Sequence, residues 1–137
     1  MHTISIPTFE NQTNEPGLGL AVTIAMRGRF LRDGRLRVSD SSDADIALEG
    51  VLREYRLSPI GFNRADRVQR YRVVVRTRIR LRDKERKKML IDQDLESYTD
   101  FEVSPSIAQS DTNRSSANQQ VADSLSKDVV SLVLEGF

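Results

Sequence analysis

The sequence predicts an α+β fold, with two helices packed on one face of a mostly antiparallel sheet of four or five strands. Three observations predict it. Residues 68–101 alternate apolar and charged side chains along two arms, while residues 18–30 and 115–135 each repeat apolar side chains at helical spacing. A helix that is apolar along one stripe and a sheet that is apolar on one face bury those surfaces against each other.

The two arms read as one long hairpin, VQRYRVVVRTRIRLRD followed by MLIDQDLESYTDF. Side chains alternate across a strand. Tyr71, Val73, Val75, Thr77, Ile79 and Leu81 therefore share one face, and Arg72, Val74, Arg76, Arg78, Arg80 and Arg82 the other. On the second arm Ile91, Leu95 and Phe101 go with Ser97 and Thr99, opposite Asp92, Asp94, Glu96, Tyr98 and Asp100. A tip of DKERKKM pairs Arg80 with Asp92, Arg78 with Asp94, Arg76 with Glu96 and Arg72 with Asp100. A slip of one residue would set arginines against apolar side chains and turn the apolar face to water. The charge ladder and the apolar ladder thus select the same register.

The remaining elements follow in chain order. HTISIPTF is a short strand closed by Pro7, and ENQTNEPG is a polar loop. Pro16 suits the first position of a helix capped by Asn14 or Glu15. Its core stripe is Leu18, Val22, Ala25, Met26 and Phe30; Arg27, Arg29 and Arg32 suit the last turns, and Gly34 stops it. RLRVSD is a short strand and SSDAD a turn. DIALEGVLREYRL is a longer strand whose apolar phase shifts after Gly50, which suggests a bulge at the glycine. SPIGFNRAD is a loop holding the apolar pair Ile60 and Phe62, which suits either a partner contact or cover for the sheet edge. VSPSIAQSDTNRSS is a second loop. The closing helix, Ser115 to Glu135, carries the stripe Ala117, Val121, Leu125, Val129 and Leu132, with Ala122 and Val133 beside it. No repeat or linker divides the chain, so residues 1–137 are expected to form one domain.

Composition excludes several functions. Cysteine is absent and the only histidine is His2, which argues against disulfides, thiolate or histidine metal sites and a Ser-His-Asp triad, and no cofactor is implied. Lysine and arginine total 21 against 20 acidic residues, so any anion site must come from local clustering. No apolar run is long enough to span a bilayer. The opening MHTISIPTFEN shows no signal-peptide pattern, so either the protein is cytosolic or a signal lies upstream. Asp92 and Asp94 face arginines, which suits ion pairing rather than acid catalysis, and no nucleophile motif or phosphate-cradling glycine loop is present; no enzymatic activity is expected. The arginine row has acids in register to neutralise it. The tip does not: Lys84, Arg86, Lys87 and Lys88 meet only Asp83 and Glu85, which makes them candidate ligands for an anion.

The stretches IPTFENQTNEPGL, FLRDGRLRVSD and ADIALEGVLREYRLSPI resemble the lipopolysaccharide-assembly lipoproteins of the LptE family, most specifically over residues 4–57. The arm YRVVVRTRIRLRD and the helix VADSLSKDVVSLVLEGF extend the resemblance over nearly the whole chain. It implies two helices on a sheet of four or more strands. It also implies a periplasmic protein tethered to the outer membrane by a lipidated N-terminal cysteine, which here would lie upstream of these residues. The implied partners are an LptD-type outer-membrane β-barrel, in whose lumen the lipoprotein sits as a plug, and lipopolysaccharide. The tip departs from the family, which often has a threonine-glycine-lysine turn followed by a tryptophan where this chain has DKERKKMLI. The four basic tip residues are therefore ligand candidates on charge alone. Arg76, Arg78 and Arg80, with Ile60 and Phe62, are the candidate partner contacts, because a charged face suits a polar lumen wall. The competing expectation is a nucleic-acid-binding α+β module using the arginine face. It is disfavoured because that face offers only Tyr98 for base stacking and its acids repel phosphate.

Overall fold

A computed structural model describes residues 2–135. Met1, Gly136 and Phe137, which the one-domain expectation also takes in, lie outside them. In chain order the elements are β1 (Thr3–Ser5), β2 (Glu10–Asn11), α1 (Leu18–Asp33), β3 (Arg37–Val38), β4 (Ile46–Phe62), β5 (Val68–Asp83), β6 (Lys88–Glu102) and α2 (Ile107–Leu134). The strands form one sheet in the order β3-β1-β4-β5-β6, with β2 also pairing to β4. The long pairings β4–β5 and β5–β6 are antiparallel, and the short strands β1, β2 and β3 join in parallel. This is the expected α+β architecture, with one short strand, β2, inside the stretch expected to be only a polar loop.

The core lies between the helices and one sheet face. Leu18, Val22, Met26 and Phe30 of α1 and Val121, Leu125, Val129 and Val133 of α2 meet Leu48 and Leu52 of β4 and Val73, Val75, Ile79 and Leu81 of β5. Ile91, Leu95 and Phe101 of β6 pack at its margin. Leu132, expected in the α2 stripe, is only half-buried, because Val133 takes the inward position.

Several local expectations are corrected. α1 begins at Leu18, after Gly17 in the left-handed region (φ 77°), and no Asn14 or Glu15 side chain caps it. Gly34 (φ 78°) does close the helix, donating its N–H to the Phe30 carbonyl. Gly50 is not a bulge. It continues the inward phase of Ile46, Leu48 and Leu52, and a Cβ there would lie 2.3 Å from the Phe9 ring, so the glycine makes room for Phe9. The register shift comes instead between Leu52 and Glu54, with Arg53 as the extra residue, and it moves Tyr55 and Leu57 onto the core side.

β4 runs on through Phe62, so Ile60 and Phe62 sit on a strand rather than in a loop. Pro59 and Gly61 are accommodated by register irregularities there. The true turn is Asn63–Arg67, where Asn63 Oδ1 accepts from the N–H groups of Ala65 and Arg67. α2 starts at Ile107, inside the expected serine-rich loop, because Ser106 caps it by accepting from the Gln109 N–H at 3.3 Å. Its first turns are exposed, which is why they lack an apolar period.

Candidate functional site: the hairpin face and its tip

The register of β5 and β6 matches the expectation at all four charge positions: Arg72–Asp100, Arg76–Glu96, Arg78–Asp94 and Arg80–Asp92. The ion pairs themselves run partly on the diagonal. Arg78 Nε lies 2.7 Å from Asp92 and its Nη1 3.4 Å from Asp94, Arg76 reaches Asp94 at 3.4 Å, and Arg80 reaches Asp92 at 3.4 Å. Long guanidinium side chains span the diagonal neighbour as easily as the direct one. Arg72 grips Asp100 through two donors, at 2.9 and 3.3 Å. Hydrogen bonds from Arg78, aided by Arg80, hold the Asp92 carboxyl below its usual range, and Arg72 does the same for Asp100.

Arg72 also lies 4.4 Å from the Tyr98 ring centroid, taking one face of the aromatic ring on which the nucleic-acid alternative relied. The bulge adds Arg53, which the sequence reading did not single out. It lines an open groove of about 570 Å³ with Glu54, Arg76, Arg78, Arg80 and Asp94. Ile60 and Phe62 lie at the far end of β4, remote along the strands from Arg76, Arg78 and Arg80, so the structure does not gather these five candidates into one site.

The tip is built differently. Lys87 takes a left-handed conformation (φ 51°) that closes the turn. Lys84, Lys87 and Lys88 surround one open hollow of about 470 Å³ together with Arg82, Asp83 and Met89. Arg82 is paired with Glu49 at 2.9 Å, and Lys84 Nζ donates to the Ser42 carbonyl at 2.8 Å. Among the described residues no carboxylate forms an ion pair with Lys84, Lys87 or Lys88. Arg86 leaves this group. It turns toward Asp83 and lines a second hollow of about 480 Å³, floored by Ile46, Leu81, Ile91 and Val133. Three of the four candidate ligand residues thus come together and the fourth does not. Met89 and Leu90 are both exposed beside the lysines, so the tip offers cations next to apolar surface.

A buried polar cluster escaped the sequence reading altogether. Glu15 is 8% exposed and is held by Arg114 through two hydrogen bonds (2.7 and 3.0 Å) and by Asn118 at 2.6 Å. The Tyr55 hydroxyl donates to Asn118 Oδ1. Burial pushes the Glu15 carboxyl upward, but the hydrogen bonds from Asn118 and Arg114 outweigh it, and the group titrates below its ordinary range. The cluster ties the loop before α1 to β4 and α2. Residues so far apart in the chain carry no local pattern that would reveal it.

Among the described residues there is no group of three or more histidine, cysteine or acidic side chains placed to hold a metal ion, and no helix is long and apolar enough to cross a membrane. What the geometry defines is an α+β domain with a self-neutralised sheet face, a cationic tip and a helix-covered core. The chain belongs to the LptE family, whose description is lipopolysaccharide assembly, and the family model matches residues 1–133. This is a family of non-enzymatic assembly proteins.

Solved structures share the fold. The rare lipoprotein B from Shewanella oneidensis superposes with a TM-score of 0.68 at 10% identity, covering 96% of this chain and 95% of that one. A hypothetical protein from Chlamydia trachomatis gives 0.68 at 12% identity, with 96% and 95% covered. A minor lipoprotein from Acinetobacter baumannii gives 0.60 at 11%, with 96% and 91% covered. At these identities the likeness is one of fold. No sequence match to a curated protein was found.

Proposed function

We propose that this protein is a lipid-anchored lipoprotein on the periplasmic face of the outer membrane. It plugs an LptD-type β-barrel, helps assemble it and assists lipopolysaccharide transport to the cell surface. The family membership supports the role in assembly. The observation that carries the ligand assignment is the tip. Lys84, Lys87 and Lys88 ring one hollow beside Met89, and Asp83, the acid that lines it, pairs with Arg86 rather than with a lysine. Ammonium groups without carboxylate partners bind phosphate by charge-assisted hydrogen bonds, and exposed apolar side chains beside them suit an amphiphile rather than a free anion. The hairpin face is charged but internally paired, so it meets a polar lumen wall without leaving uncompensated charge.

The test is co-purification from native outer membrane, using the full-length precursor with its upstream segment. A stable one-to-one complex with the barrel is expected. The protein recovered on the outer membrane without a barrel would replace the plug role with another envelope role on the same fold. A cytosolic protein without a barrel would remove the envelope assignment and reopen the nucleic-acid alternative.

A further inference from the structure

α1 is apolar on both sides. Its inward face is the core stripe already described, and at 3.6 residues per turn the positions pointing directly away from it are Leu20, Ile24, Gly28 and Leu31. Leu20, Ile24 and Leu31 are 56%, 59% and 64% exposed. An outward helix face is ordinarily polar, and a helix that is apolar all round belongs in a covered setting. The flanks of the stripe are Arg27 on one side and Arg32 on the other, and no acidic residue occurs from Leu18 to Arg32. Arg27 is anchored through Nε to the Ile6 carbonyl at 2.9 Å, which leaves its terminal amino groups available, and Arg32 is exposed.

We infer that the outward face of α1 docks on an anionic lipid surface. Leu20, Ile24 and Leu31 enter the boundary between headgroups and acyl chains, and Arg27 and Arg32 pair with lipid phosphates on either side. An apolar stripe edged by long basic side chains is how a helix lies in a membrane interface. Two features favour lipid over protein. Three aliphatic side chains present far less than the roughly 800 Å² per partner that a stable protein contact buries. Outside the arginines the face has no hydrogen-bonding side chain to make the polar rim of a protein interface. The arginine ladder lies on the opposite side of the molecule, because both helices cover the other sheet face. The inference therefore does not depend on the tip, and it requires that this face of α1 stand clear of the barrel wall.

The test is co-sedimentation of the chain with vesicles of phosphatidylethanolamine and phosphatidylglycerol, against phosphatidylcholine vesicles. It is run in a K84E/K87E/K88E background so that the tip cannot supply the attraction. Binding to the anionic vesicles is expected, about tenfold or more weaker for L20S/I24S/L31S at unchanged Tm. R27Q/R32Q should lose most of the preference for anionic over neutral vesicles. Absence of binding, or binding that the triple serine variant leaves intact, would overturn the inference. So would a dimer in sedimentation equilibrium that the serine variant dissolves, which would assign the stripe to a second copy. Loss of barrel co-purification in the serine variant with vesicle binding retained would assign it to the barrel instead.

Discussion

The body of the β5–β6 hairpin and its tip are both rich in cations, yet only the body answers its own charge. Along the body each arginine has a carboxylate within reach across the strand pair, and Arg78 has two. At the tip the strands end; Asp83 stands across from Lys88 but turns to Arg86, and Lys84, Lys87 and Lys88 gather round one hollow without an ion pair. The comparison teaches that the number of basic residues in a stretch says little about anion binding. What matters is whether an acid close to each of them forms an ion pair with it rather than with another cation.

The contrast can be broken first from beneath. The ladder is held in place by the buried face of β5, so Ile79→Ala should cost about 3 kcal/mol through lost burial and the cavity left behind. Chemical denaturation would show this as a lower midpoint at unchanged slope. A cost under about 1 kcal/mol would mean that the ladder, not the core, holds the hairpin.

Next in size is the cluster that fastens the loop before α1. Arg114→Ala leaves the Glu15 carboxylate buried without its cation. Breaking a fully buried pair costs about 3–5 kcal/mol, and because Arg114 is partly exposed about 2 kcal/mol is expected here. The folded-state pKa of Glu15 is depressed. Its stabilisation is therefore present above the unfolded carboxyl value and is lost as pH falls through the lower folded value. The Tm of the wild type should drop on acidification below about pH 4.5, more steeply than that of Glu15→Gln. Equal slopes would remove Glu15 from the account.

The ladder itself should matter less to stability than its appearance suggests. Its pairs are solvent-exposed, so Arg78→Ala should lower the Tm by less than about 3 °C, and high salt should shrink the difference further. A larger, salt-insensitive loss would mean that the ion pairs act as a structural lattice.

Much of the hairpin was legible because two independent patterns, charge and apolarity, agree on one register from Arg72–Asp100 to Arg80–Asp92. Helix stripes such as Leu18–Val22–Met26 were legible for the same reason, since their period survives in the burial. Signals failed where a local cue was overridden by its surroundings. Pro59 and Gly61 read as a loop. β4 nonetheless continues past them, because beyond Leu52 none of the described strands pairs on its other side and a proline is tolerated along such an edge. Gly50 read as a bulge because a glycine in a strand usually marks one, but here it answers to Phe9, forty-one positions upstream. The tip residues were legible as a group by charge. Their division into three lysines round one hollow and Arg86 beside another depends on turn geometry that no spacing rule supplies.

The smallest expected effect on folding carries the largest consequence for function. K84E/K87E/K88E removes no buried contact, so its Tm should stay within about 2 °C of the wild type. The measurement that tests the account most directly is lipopolysaccharide binding by this variant beside R76E/R80E, which reverses charge in the ladder. The account predicts at least about a tenfold loss for the tip variant and little change for the ladder variant. Equal binding by the tip variant and the wild type, or a loss confined to the ladder variant, would contradict the assignment of the tip as the ligand site.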